Sequence, residues 1–136
     1  MDWLDARIAE GRSFVERLLT ADEHAFAAGL RAALPERPGL YAITEKTAQP
    51  GDVLRAGRAR GKGGLRQRIY MNHFMGNQAG NLRSQLVRDG ICSSLDETKP
   101  WIRANCRVQY LVIDDLMLLS WAEDFMLASL RPRYCD

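Results

Sequence analysis

One acidic side chain, Glu123, lies in a mostly apolar segment of the chain, residues 117–127. A carboxylate beside an apolar helical face is costly to remove from water unless it gains a cationic partner, a proton or a metal ion. Glu123 is therefore a candidate for ion pairing or for metal binding. The alternative is an ordinary surface glutamate next to Asp124, since acidic residues on helices are mostly exposed.

Basic residues are concentrated in one part of the chain. Residues 53–88 contain eight Arg or Lys residues and no Asp or Glu, whereas the segments on either side each have a net charge of −3, so the overall charge of +2 conceals a strongly positive region. Arginine predominates, and its planar fork of donors matches phosphate oxygens. This distribution favours a polyanionic partner, with nucleic acid as the first candidate. The alternatives are a solvated arginine face and a compositional bias of the source genome.

Length and composition are typical of one globular domain. The chain has 136 residues, of which 46% are apolar and 26% are charged. No apolar run approaches the roughly 18 residues that span a bilayer, and the N-terminus lacks the basic region of a secretory signal. The three cysteines have no CxxC spacing and predict neither a disulfide framework nor a zinc site. We therefore expect a cytoplasmic protein that does not bind membranes.

The apolar periodicity of the N-terminal third predicts two helices. Residues 3–19 place apolar side chains on one helical face, and a second helix is predicted from Ala25 to near Pro35. We expect this helical pair to pack as a lid or flank on the core, with a dimerisation element as the alternative.

Three strands follow from the distribution of β-branched and aromatic residues. Strands over 40–44 and 53–58 are predicted to form a hairpin through the turn at Pro50-Gly51, and a third strand is predicted over 108–113. Glycines 57, 61, 63 and 64 predict a flexible basic loop after the second strand.

Three further helices are predicted. They cover residues 65–74, residues 82–89 with Asn81 as N-cap, and the segment that starts at Asp114-Asp115, holds Glu123 and stops at Arg131-Pro132. Residues 91–104 are predicted to be irregular or weakly helical, because Pro100 argues against one continuous helix.

Five short motifs occur along the chain in a recognisable order. They are Gly39-Leu40-Tyr41, Leu54-Arg55-Ala56-Gly57, Leu65-x-x-Arg68, Asn72-His73 followed by Gly76-Asn77, and Glu123 nine residues before Pro132. In this order and spacing they resemble the signature of the GIY-YIG nuclease family over residues 38 to 136. The resemblance implies an α/β domain over residues 37–136, with a small, three-stranded, mostly antiparallel sheet flanked by helices, and an N-terminal helical extension over residues 1–36.

The resemblance also implies roles in phosphodiester hydrolysis, which needs an activated water, cationic partners for the developing charge, and help for the leaving oxygen. Tyr41 would help to activate the water, and Arg68 would bind the scissile phosphate. Glu123 would hold one Mg²⁺ or Mn²⁺ ion, whose other ligands are water and phosphate oxygens. The alternatives are a half-buried strand tyrosine and one more arginine of a basic helix, with Arg66 as the fallback for Arg68.

His73 is the expected fourth residue of the site. It follows Arg68 by five residues, in an Arg-Ile-x-x-Asn-His pattern that is similar to the pattern of some members of the family. Many other members have His or Tyr four residues after the Arg. One residue of shift turns a side chain by about 100° on an α-helix. We therefore expect a helix end or bulge near His73, with Tyr70 as the alternative.

Two positions depart from the family pattern. Arg55 stands where the family has its second tyrosine, and arginine cannot act as a base because it stays protonated. It would bind phosphate or mark a decayed site. Cys135 stands where the family usually has Asn after the Pro, a position that fastens the C-terminus.

The sequence thus predicts a metal-dependent endonuclease that hydrolyses DNA phosphodiester bonds with Mg²⁺ or Mn²⁺. A catalytically impaired nucleic-acid-binding module on the same fold is the alternative, and a structural or protein-interaction domain is the third hypothesis. Specificity for DNA would come from this domain, from a homodimer or from a partner protein. Contacts with the substrate are expected from Arg55, Arg58, Arg60, Lys62, Arg66, Tyr70, Asn72 and Arg83.

Overall fold

A five-stranded mixed sheet forms the centre of the molecule, in a computed structural model that describes residues 2–135. The strand order is β1-β4-β2-β3-β5, and every neighbouring pair is antiparallel except β3 and β5. The strands are β1 (His24–Ala25), β2 (Gly39–Glu45), β3 (Arg55–Ala59), β4 (Cys106–Val112) and β5 (Tyr134–Cys135).

The α/β class is confirmed, but the prediction of three strands is wrong. Strands β4, β2 and β3 are the three expected strands and form an antiparallel centre. The sheet gains β1 beside β4 and β5 beside β3, and each of these edge strands has two residues. Two residues are too short to carry an alternating pattern, so only tertiary pairing identifies them.

Helices cover both faces of the sheet. They are α1 (Trp3–Leu19), α2 (Leu30–Ala33), a π-helix (Arg66–Met75), α3 (Leu82–Arg88), α4 (Leu95–Asn105) and α5 (Leu116–Leu130). The predicted helix from Ala25 to near Pro35 is therefore wrong for most of its length. Its first residue belongs to β1, and its apolar side chains Phe26, Leu30 and Leu34 are buried in the core from a largely irregular backbone.

Helix α4 corrects a second expectation, because it runs continuously through Pro100. A proline removes one backbone donor from a helix and crowds the preceding turn. Here the helix is stabilised by burial of Thr98 and Ile102, and acidic residues occupy its first turn. Tertiary packing outweighs the local cost of the proline.

The strands alternate their side chains between two hydrophobic cores. Tyr41 and Ile43 of β2 point into one core, and Leu40 and Ala42 point into the other, where α1 and α5 pack. Leu18 of α1 is fully buried in this second core. The predicted N-terminal extension therefore shares the sheet and both cores with residues 37–135.

Some apolar side chains of the two packed helices α1 and α5 are exposed, among them Trp3, Ile8, Met117 and Trp121. A homodimer or a partner protein stays a prediction. Of the helices within residues 2–135, none is long and apolar enough to cross a membrane.

Candidate active site

A groove of about 520 Å³ is lined by several of the charged residues that the sequence predicts for the site. It lies where β3 ends, and the π-helix and α5 supply its other walls. Its cationic lining is Arg58, Arg60, Lys62 and Arg68, and Glu123 is the acidic residue that faces them. Strand β5 pairs with β3 at Arg55 and Ala56, so the groove opens at the part of β3 beyond this pairing.

Glu123 is buried, with 9% of its surface exposed, and lies on α5. Asp115 caps this helix by accepting hydrogen bonds from the backbone N–H groups of Met117 and Leu118, as the sequence predicts for the start of the helix. The Glu123 carboxylate lies 3.3 Å from Nε of Arg58, whose Nη1 donates to Ser120 at 2.9 Å. The carboxylate thus has a cationic partner at the groove wall.

The π-helix resolves the spacing of Arg68 and His73. On an α-helix, residues five apart point in different directions. The i→i+5 hydrogen bonds of a π-helix widen the turn, so residues four and five apart lie near the same face as the first. Arg68, Asn72 and His73 accordingly line one depression of about 360 Å³, which adjoins the groove through Arg68 and Asn72. The expected local distortion extends over the whole of the predicted helix.

Tyr41 and His73 form a buried pair. The Tyr41 oxygen lies 2.7 Å from Nε2 of His73, and both side chains are almost completely inaccessible to solvent. The backbone N–H of Leu82 donates to Nδ1 of His73 at 3.2 Å. Because Nδ1 accepts this hydrogen bond, the neutral imidazole carries its proton on Nε2. Nε2 therefore donates to the Tyr41 oxygen.

The surroundings of His73 keep its imidazole neutral. Burial lowers the pKa of His73 well below its ordinary 6.5, and the positive charges of Arg55 and Arg68 lower it further. With Nδ1 accepting and Nε2 donating, His73 is not placed to take the phenolic proton. It is placed to stabilise negative charge on the Tyr41 oxygen.

The two parts of the site lie on opposite faces of the sheet. Tyr41 pairs with Gly57, and Ile43 pairs with Arg55, so Tyr41 and Arg55 project to the same face. Arg58, one residue beyond Gly57, projects to the other face, towards Glu123. The groove and the adjoining depression meet at the edge of β3, where Arg68 lines both.

Arg55 lines the depression beside His73, and its guanidinium is held by partners within the protein. Its side chain is buried with 1% exposed, and Nη1 donates to the carbonyl of Gly80 at 3.0 Å and to Oε1 of Gln85 at 2.5 Å. The guanidinium is directed into the protein because the neighbouring loop and α3 cover that face of β3.

Arg83 and Arg66, two other predicted substrate contacts, also donate to groups within the protein. Arg83 is buried and donates to Thr98 and to the carbonyls of Met75, Gly76 and Leu95. Arg66 donates to the carbonyl of Leu34 and to Glu36. Both arginines tie neighbouring segments to the ends of the π-helix.

The remaining predicted contacts divide into two groups. Arg58, Arg60, Lys62 and Asn72 line the groove. Tyr70, the alternative to His73, packs its ring against Phe74 with centroids 5.6 Å apart and joins the core. The groove also contains Gln67, which donates to Oδ1 of Asn72 at 3.1 Å and was absent from the predicted contacts.

Asn81 connects the site helices more extensively than its predicted N-cap role. Its side-chain oxygen accepts from the backbone N–H of Ser84, which confirms the cap of α3. Its amide nitrogen donates to the carbonyls of Asn72 and Gly76, at the end of the π-helix. The N-cap pattern identifies the residue, but the second contact depends on the fold.

The C-terminus is fastened by backbone pairing. The N–H groups of Arg133 and Tyr134 donate to the carbonyls of Val53 and Leu54, and the Tyr134 hydroxyl donates to Asp89 at 2.5 Å. Cys135 itself is exposed and lines the depression beside His73. Arg133 and Tyr134, the neighbours of Cys135, thus fasten the C-terminus, which the family pattern predicts for the residue at position 135.

Within residues 2–135, no group of three or more His, Cys, Asp or Glu side chains is arranged to hold a metal ion. Comparison of the chain with protein-family models, with curated proteins and with solved structures gave no match.

Proposed function

We propose that this protein is a divalent-metal-dependent DNA endonuclease of the GIY-YIG type. The observation that carries the proposal is the convergence of two groups at the edge of β3. One is the groove in which Glu123 faces Arg58, Arg60, Lys62 and Arg68, and the other is the Tyr41–His73 pair beside it. A phosphate held at this edge would have a cationic wall on one side and a polarised phenol on the other.

The residues have complementary roles in this proposal. Arg68 lines both depressions and binds the scissile phosphate, where its charge stabilises the pentavalent transition state. Tyr41 acts as a phenolate, which has lost its proton to solvent and is stabilised by the Nε2–H of His73. It accepts the proton of the attacking water and becomes the neutral phenol. Because Tyr41 is fully buried, its oxygen becomes accessible only when the side chains that cover it shift on substrate binding.

Glu123 fits a cation that is bound together with the substrate. A single carboxylate at the wall of a hydrated groove suits Mg²⁺ or Mn²⁺, which keep several waters and take phosphate oxygens as ligands. When bound, such an ion would neutralise charge on the phosphate and on the leaving oxygen. The Arg58 guanidinium, 3.3 Å from the carboxylate, would then turn towards phosphate.

A nucleic-acid-binding module without cleavage activity is the second candidate. The specific observation in its favour is the ion pair between Arg58 and Glu123, which competes with metal binding. Arg55 in place of the second family tyrosine also removes a hydroxyl that could orient water. Both candidates require the same cationic groove.

A plasmid-nicking assay separates the two candidates. Supercoiled DNA is incubated with the protein and Mg²⁺ or Mn²⁺, with EDTA as the metal-free control. Glu123→Gln should abolish cleavage and leave DNA binding nearly unchanged, because the metal ligand is lost without loss of shape. The matched control is Asp124→Asn, since Asp124 is the exposed neighbour on the same helix. Cleavage by Glu123→Gln at the wild-type rate would refute the assignment, and binding without cleavage by the wild type would favour the second candidate.

A further inference from the structure

Arg55 is a buried cation that lines the depression beside His73. It lies on β3, on the same face of the sheet as Tyr41, and only 1% of its surface is exposed. Burying a guanidinium is costly, and hydrogen bonds within the protein must compensate for the lost water. Its partners therefore indicate what the side chain holds in place.

Two of those partners lie on either side of Leu82. Arg55 donates to the carbonyl of Gly80, two residues before Leu82, and to Oε1 of Gln85, three residues after it. The N–H of Leu82 is the donor to Nδ1 of His73. Arg55 thus anchors the short segment whose backbone N–H determines which imidazole nitrogen carries the proton.

The charge of Arg55 acts in the same direction as its hydrogen bonds. Among residues 2–135, the charged or titratable groups around His73 are Tyr41 from β2, Arg55 from β3, Arg68 from the π-helix and Cys135 from β5. The two arginines oppose protonation of the imidazole, and α3 contributes the Leu82 N–H. A neutral imidazole with its proton on Nε2 is the only form that accepts from Leu82 and donates to Tyr41 at once.

We propose that Arg55 is a positioning residue, whose guanidinium holds the Gly80–Gln85 segment so that His73 keeps its proton on Nε2 and donates it to the Tyr41 oxygen. The inference rests on the proposed function for its consequence in catalysis, but its effect on His73 is independent of cleavage. Arg55 then occupies the position of the second family tyrosine but contributes to the site by positioning His73. It is neither a phosphate ligand nor the mark of a decayed site.

Nitrogen-15 NMR of the imidazoles tests this arrangement directly. The chain has two histidines, so a His24→Gln background leaves the signals of His73 alone. In the wild-type site we expect the Nε2–H tautomer. Arg55→Met should give a mixture of tautomers and a higher His73 pKa, because both the anchor and the charge are lost. An unchanged tautomer and pKa in Arg55→Met would overturn the proposal.

Two further variants keep the test decisive if Arg55→Met folds poorly. Gln85→Glu is nearly isosteric and keeps the hydrogen bond to Arg55, so the tautomer should persist, while the new carboxylate offsets the charge of Arg55 and raises the His73 pKa. An unchanged His73 pKa in this variant would contradict the electrostatic part.

Arg83→Met removes another buried arginine of the same region and should lower the melting temperature without changing the tautomer. A tautomer change there equal to that of Arg55→Met would refute a specific role for Arg55.

Cleavage of supercoiled plasmid with Mg²⁺ gives the catalytic readout. Arg55→Met should lower kcat by roughly 10- to 100-fold, the usual effect of misplacing a catalytic group, with little change in KM. The acidic limb of its pH profile should move to higher pH, because His73 protonates more readily. A rise in KM and a DNA-binding salt slope smaller by about one would instead identify a phosphate ligand. If the wild type does not cleave with any divalent cation, the proposed function fails, and the NMR results still decide the role of Arg55.

Discussion

At the scale of single residues, the hydrogen bonds of His73 have a fixed direction. Leu82 donates to one ring nitrogen, and the other donates to Tyr41. This chain of donors polarises the phenol towards the phenolate, which a lone strand tyrosine with a pKa near 10 would not reach readily. Protonation of Nδ1 would break the hydrogen bond from Leu82, so the stability of the folded protein should depend on pH.

Stability should depend on pH through His73. Burial, Arg55 and Arg68 hold the pKa of His73 well below 6.5 in the folded protein, so the unfolded chain binds a proton that the folded chain does not. The contribution of His73 to the free energy of unfolding is therefore fully present above pH 6.5. It is lost as the pH falls towards the pKa of His73 in the folded protein, and the free energy of unfolding then falls by at most about 1.4 kcal/mol per pH unit. Denaturant unfolding between pH 7 and pH 5.5 measures this slope. His73→Gln should flatten it and His24→Gln should leave it, whereas equal slopes in all three proteins would exclude His73 as the cause.

In the proposed cleavage of DNA, Arg68 and Arg60 should affect different steps. Arg68→Ala should lower kcat by about 10²- to 10³-fold, or about 3–4 kcal/mol, because a preorganised charge at the reacting phosphate is lost. Arg60 is exposed at the start of the glycine loop, so Arg60→Ala should mainly weaken DNA binding. Single-turnover cleavage at saturating enzyme separates the effects. Equal losses of turnover in the two variants would remove the distinction.

At the scale of elements, the π-helix is the structure that assembles the site. Its start is joined to the segment before β2, because the N–H groups of Leu65 and Arg66 donate to the carbonyls of Arg37 and Pro35. Gly64 makes this junction possible. Its φ is +55°, and a Cβ there would lie 2.4 Å from the carbonyl oxygen of Arg37.

Gly64→Ala should therefore destabilise the protein and displace the π-helix. The left-handed backbone alone costs an alanine about 1–2 kcal/mol, and the contact with Arg37 adds to this. Gly61→Ala is the matched control in the same loop, because nothing lies within 4 Å of a Cβ at that position. Chemical denaturation of both variants gives the comparison. A Gly64→Ala protein as stable as Gly61→Ala would show that the junction tolerates a side chain.

At the scale of the whole molecule, the fold divides seven of the eight basic residues of 53–88 into two groups, and the eighth, Arg88, is exposed at the end of α3. Arg58, Arg60, Lys62 and Arg68 line the groove, and Arg55, Arg66 and Arg83 are held within the protein. The positive segment of the sequence is therefore a mixture of groove lining and internal anchors. The four cations that line the groove therefore determine the salt dependence that we expect for DNA binding.

DNA affinity should fall steeply with salt. Four phosphate contacts predict a slope of roughly −3 to −4 for log K against log salt, and removing one should reduce its magnitude by about one. Lys62→Ala should have this effect. Arg12→Ala should not, because Arg12 lies on α1 and pairs with Glu16. Fluorescence anisotropy with a labelled duplex between about 50 and 300 mM salt, a roughly sixfold range that includes physiological ionic strength, measures the slopes. A complex insensitive to salt, or no complex at low salt, would favour a protein-interaction domain.

The sequence by itself determined the features that depend on nearby residues. The three central strands, the N-caps at Asn81 and Asp115 and the end of α5 at Arg131 follow from side-chain alternation, capping side chains and proline sterics. Each of these signals lies within a few residues of the element it predicts, so no tertiary contact is needed to read it.

Only the tertiary structure decided which way the chemically important side chains face. Arg55 points inwards because Gly80 and Gln85, about 25 and 30 residues away in sequence, cover it. The tautomer of His73 depends on the backbone of Leu82, and hydrogen bonds from distant segments join both ends of the π-helix. The physical reason is that hydrogen-bond direction and burial are set by partners brought together by folding, and no local pattern in the sequence encodes them.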